Sequence, residues 1–149
     1  MAVMLSEHAF EPYEQVLRHQ AQHMRPGDCG ASVTFVGTVR DMHDNTPVES
    51  MTIECYQAMA HQEIESLCAQ AAQRWDIGDS LVVHRYGEVE PGDVLVVVAV
   101  WAPHREPAFD ACRHIIHHLK RKAPFWKLER TSGQRRWLTA NTDDIGVHE

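Results

Sequence analysis

From Asp93 to Trp101 the chain reads DVLVVVAVW, eight apolar residues in a row, five of them valine, behind a single acid. A membrane-spanning helix takes about 20 apolar residues, so this run is too short to cross a bilayer. Its β-branched side chains favour the pleated strand, and its unbroken apolar character makes it a central one. The preceding stretch, SLVVHRYGEV from Ser80, supplies a second arm. Between the arms, Glu90-Pro91-Gly92 puts proline and glycine where a type II turn wants them. A β-hairpin therefore anchors whatever fold this chain adopts.

The other elements must pack around that hairpin. Glu11 to about Met24 reads as a short amphipathic helix, closed by Arg25-Pro26-Gly27-Asp28. In GASVTFVGTVR, Ala31, Val33 and Phe35 alternate with Ser32 and Thr34, the pattern of a half-buried strand. DMHDNTP, which follows, reads as a mobile loop, and Glu49 to Tyr56 as a further strand. Ile64, Leu67, Cys68, Ala71 and Trp75 recur at helical spacing, with Gly78 as the stop. A last helix runs from about Glu106 to Lys122, with Pro107 tolerated in its first turn. Its core face gathers Ala108, Phe109, Cys112, Ile115, Ile116 and Leu119. FWKLERT and RRWLT make two final strands around Ser132-Gly133, and 141–149 a frayed tail. Helices and strands that alternate only in part, with hairpins among them, imply α+β rather than a doubly wound parallel sheet. At 149 residues the expectation is one domain over the whole chain.

Charge narrows the function. The chain carries −7 overall, yet Lys120 to Arg136 holds seven basic residues and one acidic, a local +6 that leaves −13 for the remainder. All three lysines, Lys120, Lys122 and Lys127, fall in that window. A general nucleic-acid binder would be basic overall; a confined positive pocket for a small anion fits better. MAVMLSEHAF has neither a basic start nor a long apolar stretch and so does not read as a secretion signal, which implies a cytoplasmic protein that makes no use of a membrane. Cys29, Cys55, Cys68 and Cys112 are irregularly spaced, without a C-x-x-C pair, and read as structural thiols.

His114, His117 and His118 could grip a metal one helical turn apart. They lie opposite the apolar face, however, and the glutamate of an H-E-x-x-H motif is missing, so solvated surface is favoured. Lys120 lies at the border between the apolar and wet faces, able to bury its stem while its ammonium looks into a crevice. After Ala123-Pro124, the alternation of FWKLE sends Lys127 and Glu129 to one side and Trp126 and Leu128 to the other. Lys120 and Lys127 could thus converge. Basic residues ending a helix also suit its dipole, which accounts for Lys120 to Lys122 but not for Lys127. His104 and Arg105 sit where a buried strand meets a helix N-terminus, either an anion site or a solvated loop. Arg40, at the tip of a strand, has the same ambiguity. No G-x-S-x-G, Walker loop, Rossmann fingerprint or D-x-D metal site is present, so any chemistry calls for neither a nucleotide motif nor a metal or other cofactor. A rival is an RNA-binding module that stacks bases on Phe125, Trp126 and Trp137.

GASVTFVGTVRD, HRYGEVEPGD, the APHR before a helix and above all LKRKAPFWKLE resemble the MoaE family, the large, catalytic subunits of molybdopterin synthase. The likeness runs in order from about Gly30 to Trp137. It implies an α/β hammerhead-type fold with an additional antiparallel β subdomain. It also implies a sulfurtransferase of molybdenum cofactor biosynthesis, acting on cyclic pyranopterin monophosphate. The sulfur would come from a small ubiquitin-like, MoaD-like partner whose C-terminal Gly-Gly ends in a thiocarboxylate. Two copies of the chain would pair as a homodimer within a heterotetramer. On the resemblance, Lys120 and Lys127 are the catalytic lysines. His104, Arg105 and Arg40 bind the pterin phosphate, with Arg40 reaching across the dimer, and Thr38, Val39, Leu128 and Glu129 line the same pocket.

Overall fold

The apolar run is an inner strand of a four-stranded sheet. The computed structural model describes residues 1–131 and 134–138; the expected Ser132-Gly133 turn and the tail over 141–149 lie outside them. In chain order the elements are β1 (Ala2–Ser6), α1 (Pro12–His23), β2 (Ala31–Thr38), β3 (Met42–His43), β4 (Thr46–Pro47), β5 (Ser50–Cys55), α2 (Gln57–Arg74), β6 (Asp79–Arg85), β7 (Gly87–Val89), β8 (Val94–Ala102), α3 (Arg105–Lys122), β9 (Phe125–Thr131) and β10 (Gln134–Leu138). One sheet has the order β1-β6-β8-β2, and a second has the order β10-β9-β5-β7. Only β1 runs parallel to its neighbour in the first sheet, and the second is antiparallel throughout. The α+β expectation holds.

The hairpin forms, with one departure. β6 pairs antiparallel with β8, Leu81 opposite Ala99 and His84 opposite Val96. Pro91-Gly92 makes the turn, with Gly92 at φ +92° and the Asp93 amide donating to the Glu90 carbonyl at 3.0 Å. Near the turn, however, the first arm leaves its partner. Gly87, at φ +88°, bends the chain so that β7 joins β5 in the second sheet. One continuous stretch of sequence therefore ties the two sheets together.

Alternation along β6 and β8 covers both faces of the first sheet. Val82, Val96, Val98 and Val100 meet α2 and α3 through Ile64, Leu67, Ala111, Ile115 and Leu119. Leu81, Val83, Val97, Ala99 and Trp101 face the other way, onto Val16 and Met24 at α1. Burying a side chain the size of Ile64 or Ile115 contributes about 1.5–3 kcal/mol each, which fixes α3 against the sheet.

Three expectations need correcting. Phe109 is 54% exposed, and Ala111 takes its place in the core. At about 100° per residue the buried strip of α3 centres on Ala108, Cys112, Ile115 and Leu119, which leaves Phe109 roughly a quarter turn off it. DMHDNTP is not an irregular loop but a two-residue hairpin. Met42 pairs with Pro47 and His43 with Thr46, while Asp44 and Asn45 take φ of 48° and 61°. Aspartate and asparagine tolerate the left-handed conformation that such a turn requires. Gly78 does not stop α2, whose C-cap is the extended Trp75. It allows close approach instead, since a Cβ there would stand 2.6 Å from Cys29 Sγ.

Candidate active site

Where α3 ends, the two sheets part around a partly open cavity of about 670 Å³. The helix stops because Pro124 disfavours helical backbone at Ala123, which is extended at ψ 136° while its amide still donates to the Leu119 carbonyl at 3.3 Å. The last turn of α3 puts Lys120 and Arg121 on the cavity wall. The chain then re-enters as β9, antiparallel to β5 with Lys127 opposite Ile53. Strand alternation turns Phe125, Lys127 and Glu129 inward. All three line the cavity, so Lys120 and Lys127 face one space.

The end of β2 completes the wall. A bulge between Gly37 and Thr38 turns the strand out of its register with β8. Val39 is then held to the turn by two backbone bonds, its amide to Asp93 at 2.9 Å and its carbonyl from Gly92 at 2.8 Å. Thr38, Val39 and Arg40 all line the cavity, Val39 buried and the other two exposed.

Glu129 is 1% exposed, and its charge is compensated locally. Arg136 from β10 donates to Glu129 Oε1 through Nε at 3.0 Å and Nη2 at 2.7 Å. His43 Nδ1 lies 3.2 Å from Glu129 Oε2 and 2.8 Å from Arg136 Nη2. The short β3–β4 hairpin is thereby clasped onto β9 and β10. His84 forms another part of the wall, and burial pushes its pKa down to about 4, with the nearby Lys127 adding to the effect.

The expected site residues do not all meet. Thr38, Val39, Arg40, Lys120, Lys127 and Glu129 share the cavity. Leu128 is not on its wall: alternation turns it to the opposite face of β9, from which only the larger Trp126 still reaches the cavity. His104 and Arg105 are exposed at the other end of α3. At 1.5 Å per residue Arg105 is about 22 Å along the helix from Lys120, and neither residue lines this cavity. The histidine triplet also differs from a solvated face. His114 packs edge-on against Trp75 at 5.2 Å, its Nε2 buried without a partner, and His118 Nδ1 reaches the His114 carbonyl at 2.9 Å. These two border α2, on the opposite edge of the buried strip from Phe109.

His84, His43 and Arg121 line the cavity although sequence reasoning did not assign them to a site, and Arg136 supports its wall through Glu129. A histidine inside the apolar run LVVH was a usable signal. Cys29, Cys55, Cys68 and Cys112 are all free, and none lines the cavity. Burial raises each thiol, Cys112 to about 11, so none is a ready thiolate nucleophile. Among the described residues no group of three or more His, Cys, Asp or Glu is placed to hold a metal, and no helix is long and apolar enough to cross a membrane.

Fold and cavity define a class: an α+β protein that gathers cations from the end of β2, from α3 and from β9 around one partly open cavity, which suits an anion. Comparison with known proteins makes this specific. Residues 7–122 match the family described as MoaE protein, and the chain belongs to that family. Over 144 residues it is 38% identical to the molybdopterin synthase catalytic subunit of Pseudomonas aeruginosa, covering 97% of this chain and 94% of that protein. It is 44% identical over 115 residues to the protein of the same name from Ralstonia nicotianae, covering 77% of this chain but only 65% of that one. Among solved structures, the molybdopterin biosynthesis MoaE protein from Burkholderia ambifaria superposes with a TM-score of 0.79 at 37% identity, covering 99% of this chain and 96% of that one. The family match ends at residue 122, so it includes Lys120 and leaves out Lys127.

Proposed function

We propose that this chain is the catalytic subunit of a cytoplasmic molybdopterin synthase. It moves sulfur from the C-terminal thiocarboxylate of a small ubiquitin-like subunit to cyclic pyranopterin monophosphate, forming the dithiolene of molybdopterin. The observation that carries the reading is the single cavity shared by Lys120 and Lys127. Both reactants are anions, and two ammonium groups on one wall offset the repulsion between them.

The chemistry asks little more of the protein. The sulfur arrives already nucleophilic, so the four protonated thiols of this chain are not needed. In each transfer a carbon–sulfur bond forms at a substrate carbon as a carbon–oxygen bond at that carbon breaks and its oxygen leaves, and the carbon–sulfur bond to the tail is then hydrolysed. Water supplies the oxygen with which the tail departs as a carboxylate. Lys120 neutralises the thiocarboxylate and the charge that develops during acyl transfer, and Lys127 holds substrate oxygens or moves a proton. Enclosure makes positioning the main contribution.

The assembly is a homodimer with one small subunit at each far end. Arg40, expected to reach across the pair, instead lines the cavity of its own chain beside Lys120 and Lys127 and serves the phosphate there. His104 and Arg105, about a helix length from Lys120 in the same chain, contact the phosphate from a neighbouring copy. The test is reconstitution with a thiocarboxylated small subunit and the pterin precursor: dithiolene product is expected, and its absence refutes the reading. Salt-sensitive binding of single-stranded RNA without product would favour the stacking module instead.

A further inference from the structure

His84 is the last residue of β6 paired with β8, one before the strand ends at Arg85 and the chain leaves for the second sheet, and it is 6% exposed. Two contacts fix the ring. It stacks on Phe125, with centroids 4.0 Å apart and planes 17° from parallel, and its Nδ1 lies 2.8 Å from the Arg85 carbonyl oxygen. A carbonyl can only accept, so Nδ1 carries the proton and Nε2 of the neutral ring keeps its lone pair. Burial is the main reason the ring stays neutral; the bond to Arg85 opposes that shift, and the Lys127 charge reinforces it.

The rest of the wall gives this nitrogen its meaning. Arg40, Lys120, Arg121 and Lys127 are donors, with no lone pair to offer. Glu129 is bound by Arg136, and His43 Nδ1 faces the same guanidinium. His84 is therefore a neutral acceptor set among cations, rigidly aimed by a stack and a hydrogen bond. An anionic group is attracted to the cations; a group that carries a proton but no charge is what suits His84.

We propose that His84 is a substrate-contacting specificity residue. Its Nε2 accepts a hydrogen bond from an N–H of the heterocyclic part of the guest, while the lysines hold the anionic part. The inference rests on the synthase reading for its substrate, since a reduced pterin carries ring N–H groups and its phosphate carries the charge. It makes the cavity two-ended, one end selecting charge and the other a neutral donor.

The test uses the reconstituted enzyme with wild type, His84→Asn and His84→Gln. Asparagine retains a donor for the Arg85 carbonyl but has no acceptor where Nε2 stood, whereas the amide oxygen of glutamine can reach that position. His84→Asn is expected to raise KM for the pterin about tenfold, the scale of one lost hydrogen bond, with little change in kcat. His84→Gln is expected to recover most of it, although the two variants melt alike. A wild-type KM in His84→Asn, or losses that simply follow melting temperature in both variants, would overturn the proposal. A second measurement needs no variant: in nitrogen NMR of the wild type, saturating pterin precursor should shift the His84 Nε2 resonance while Nδ1 stays protonated. An unmoved Nε2 resonance refutes the contact. Inactive wild type would refute the synthase reading itself, whereas active wild type with an indifferent His84 would remove only this inference.

Discussion

The two ends of α3 carry similar charge and have different surroundings. At its start His104 and Arg105 stand exposed beside unpaired backbone amides, where an anion is electrostatically welcome. At its finish Lys120 and Arg121 stand where two sheets and a clasped hairpin line a partly open cavity of about 670 Å³. Charge alone does not distinguish these places; enclosure does. Within low-dielectric walls a cation acts on its guest more strongly than it can in open water, and the guest is held in one orientation. The start of α3 becomes part of such a site only if another chain covers it.

That contrast can be broken at several points. The largest effect is expected from Lys120→Ala, which should lower the single-turnover rate by about 10³-fold, the scale of losing a preorganised charge at a reacting centre, with circular dichroism and dimer size unchanged. A fully active variant would remove Lys120 from the chemistry. Lys127→Ala should cost about 10²-fold, the lower range for a positioned proton-transfer group; a normal single-turnover rate would contradict its role. Glu129→Ala should destabilise the fold by about 2 kcal/mol in urea titration, because it removes charge-assisted hydrogen bonds to the partly exposed Arg136 and loosens the His43 clasp. An unchanged midpoint would mean that the clasp is idle.

Acidification gives an effect of similar size. The His84 pKa falls from 6.5 to about 4 on folding, so between those values the unfolded chain binds the extra proton. Stability is therefore lost as pH falls from 7, by about 2 kcal/mol at pH 5 from this group. His84→Phe should flatten that part of the profile, and an unaltered slope would show that other groups dominate. The smallest change is expected at the open end of α3. Arg105→Ala should raise KM for the pterin about tenfold, the size of one charge-assisted contact, and mixing it with Lys120→Ala should restore activity if dimers exchange. Failure of the mixture to recover would place Arg105 outside the neighbouring copy's site.

Much of this arrangement was legible in the sequence, for physical reasons that also explain what was not. The run Val94–Trp101 could only be an inner strand, and the period of α3 showed which side of it met that strand. The Lys120 and Lys127 convergence followed from a helix ended by Pro124 and a strand begun at Phe125, both local events. β1 was not foreseen, because AVMLS is short and its parallel pairing with β6 joins residues some 80 positions apart. The sheet switch after Arg85 was hidden for a related reason: β6 and β7 form one compositional stretch, and only the conformation of Gly87 divides them. Asp44-Asn45 read as loop because the residues that suit a disordered turn also suit a tight hairpin. His104 and Arg105 were visible as charges, but burial is a property of the assembled chain, and a local string does not report it.

The central claim is that Lys120 and Lys127 act on one guest at the same moment. A double-mutant cycle on single-turnover sulfur transfer, with wild type, Lys120→Ala, Lys127→Ala and the double variant, measures this directly. If both ammonium groups hold the same reacting pair, the double variant should lose much less than the two single losses combined, with a coupling above about 1 kcal/mol. Strictly additive losses would mean that the two lysines serve separate events, and the shared-cavity mechanism would be wrong.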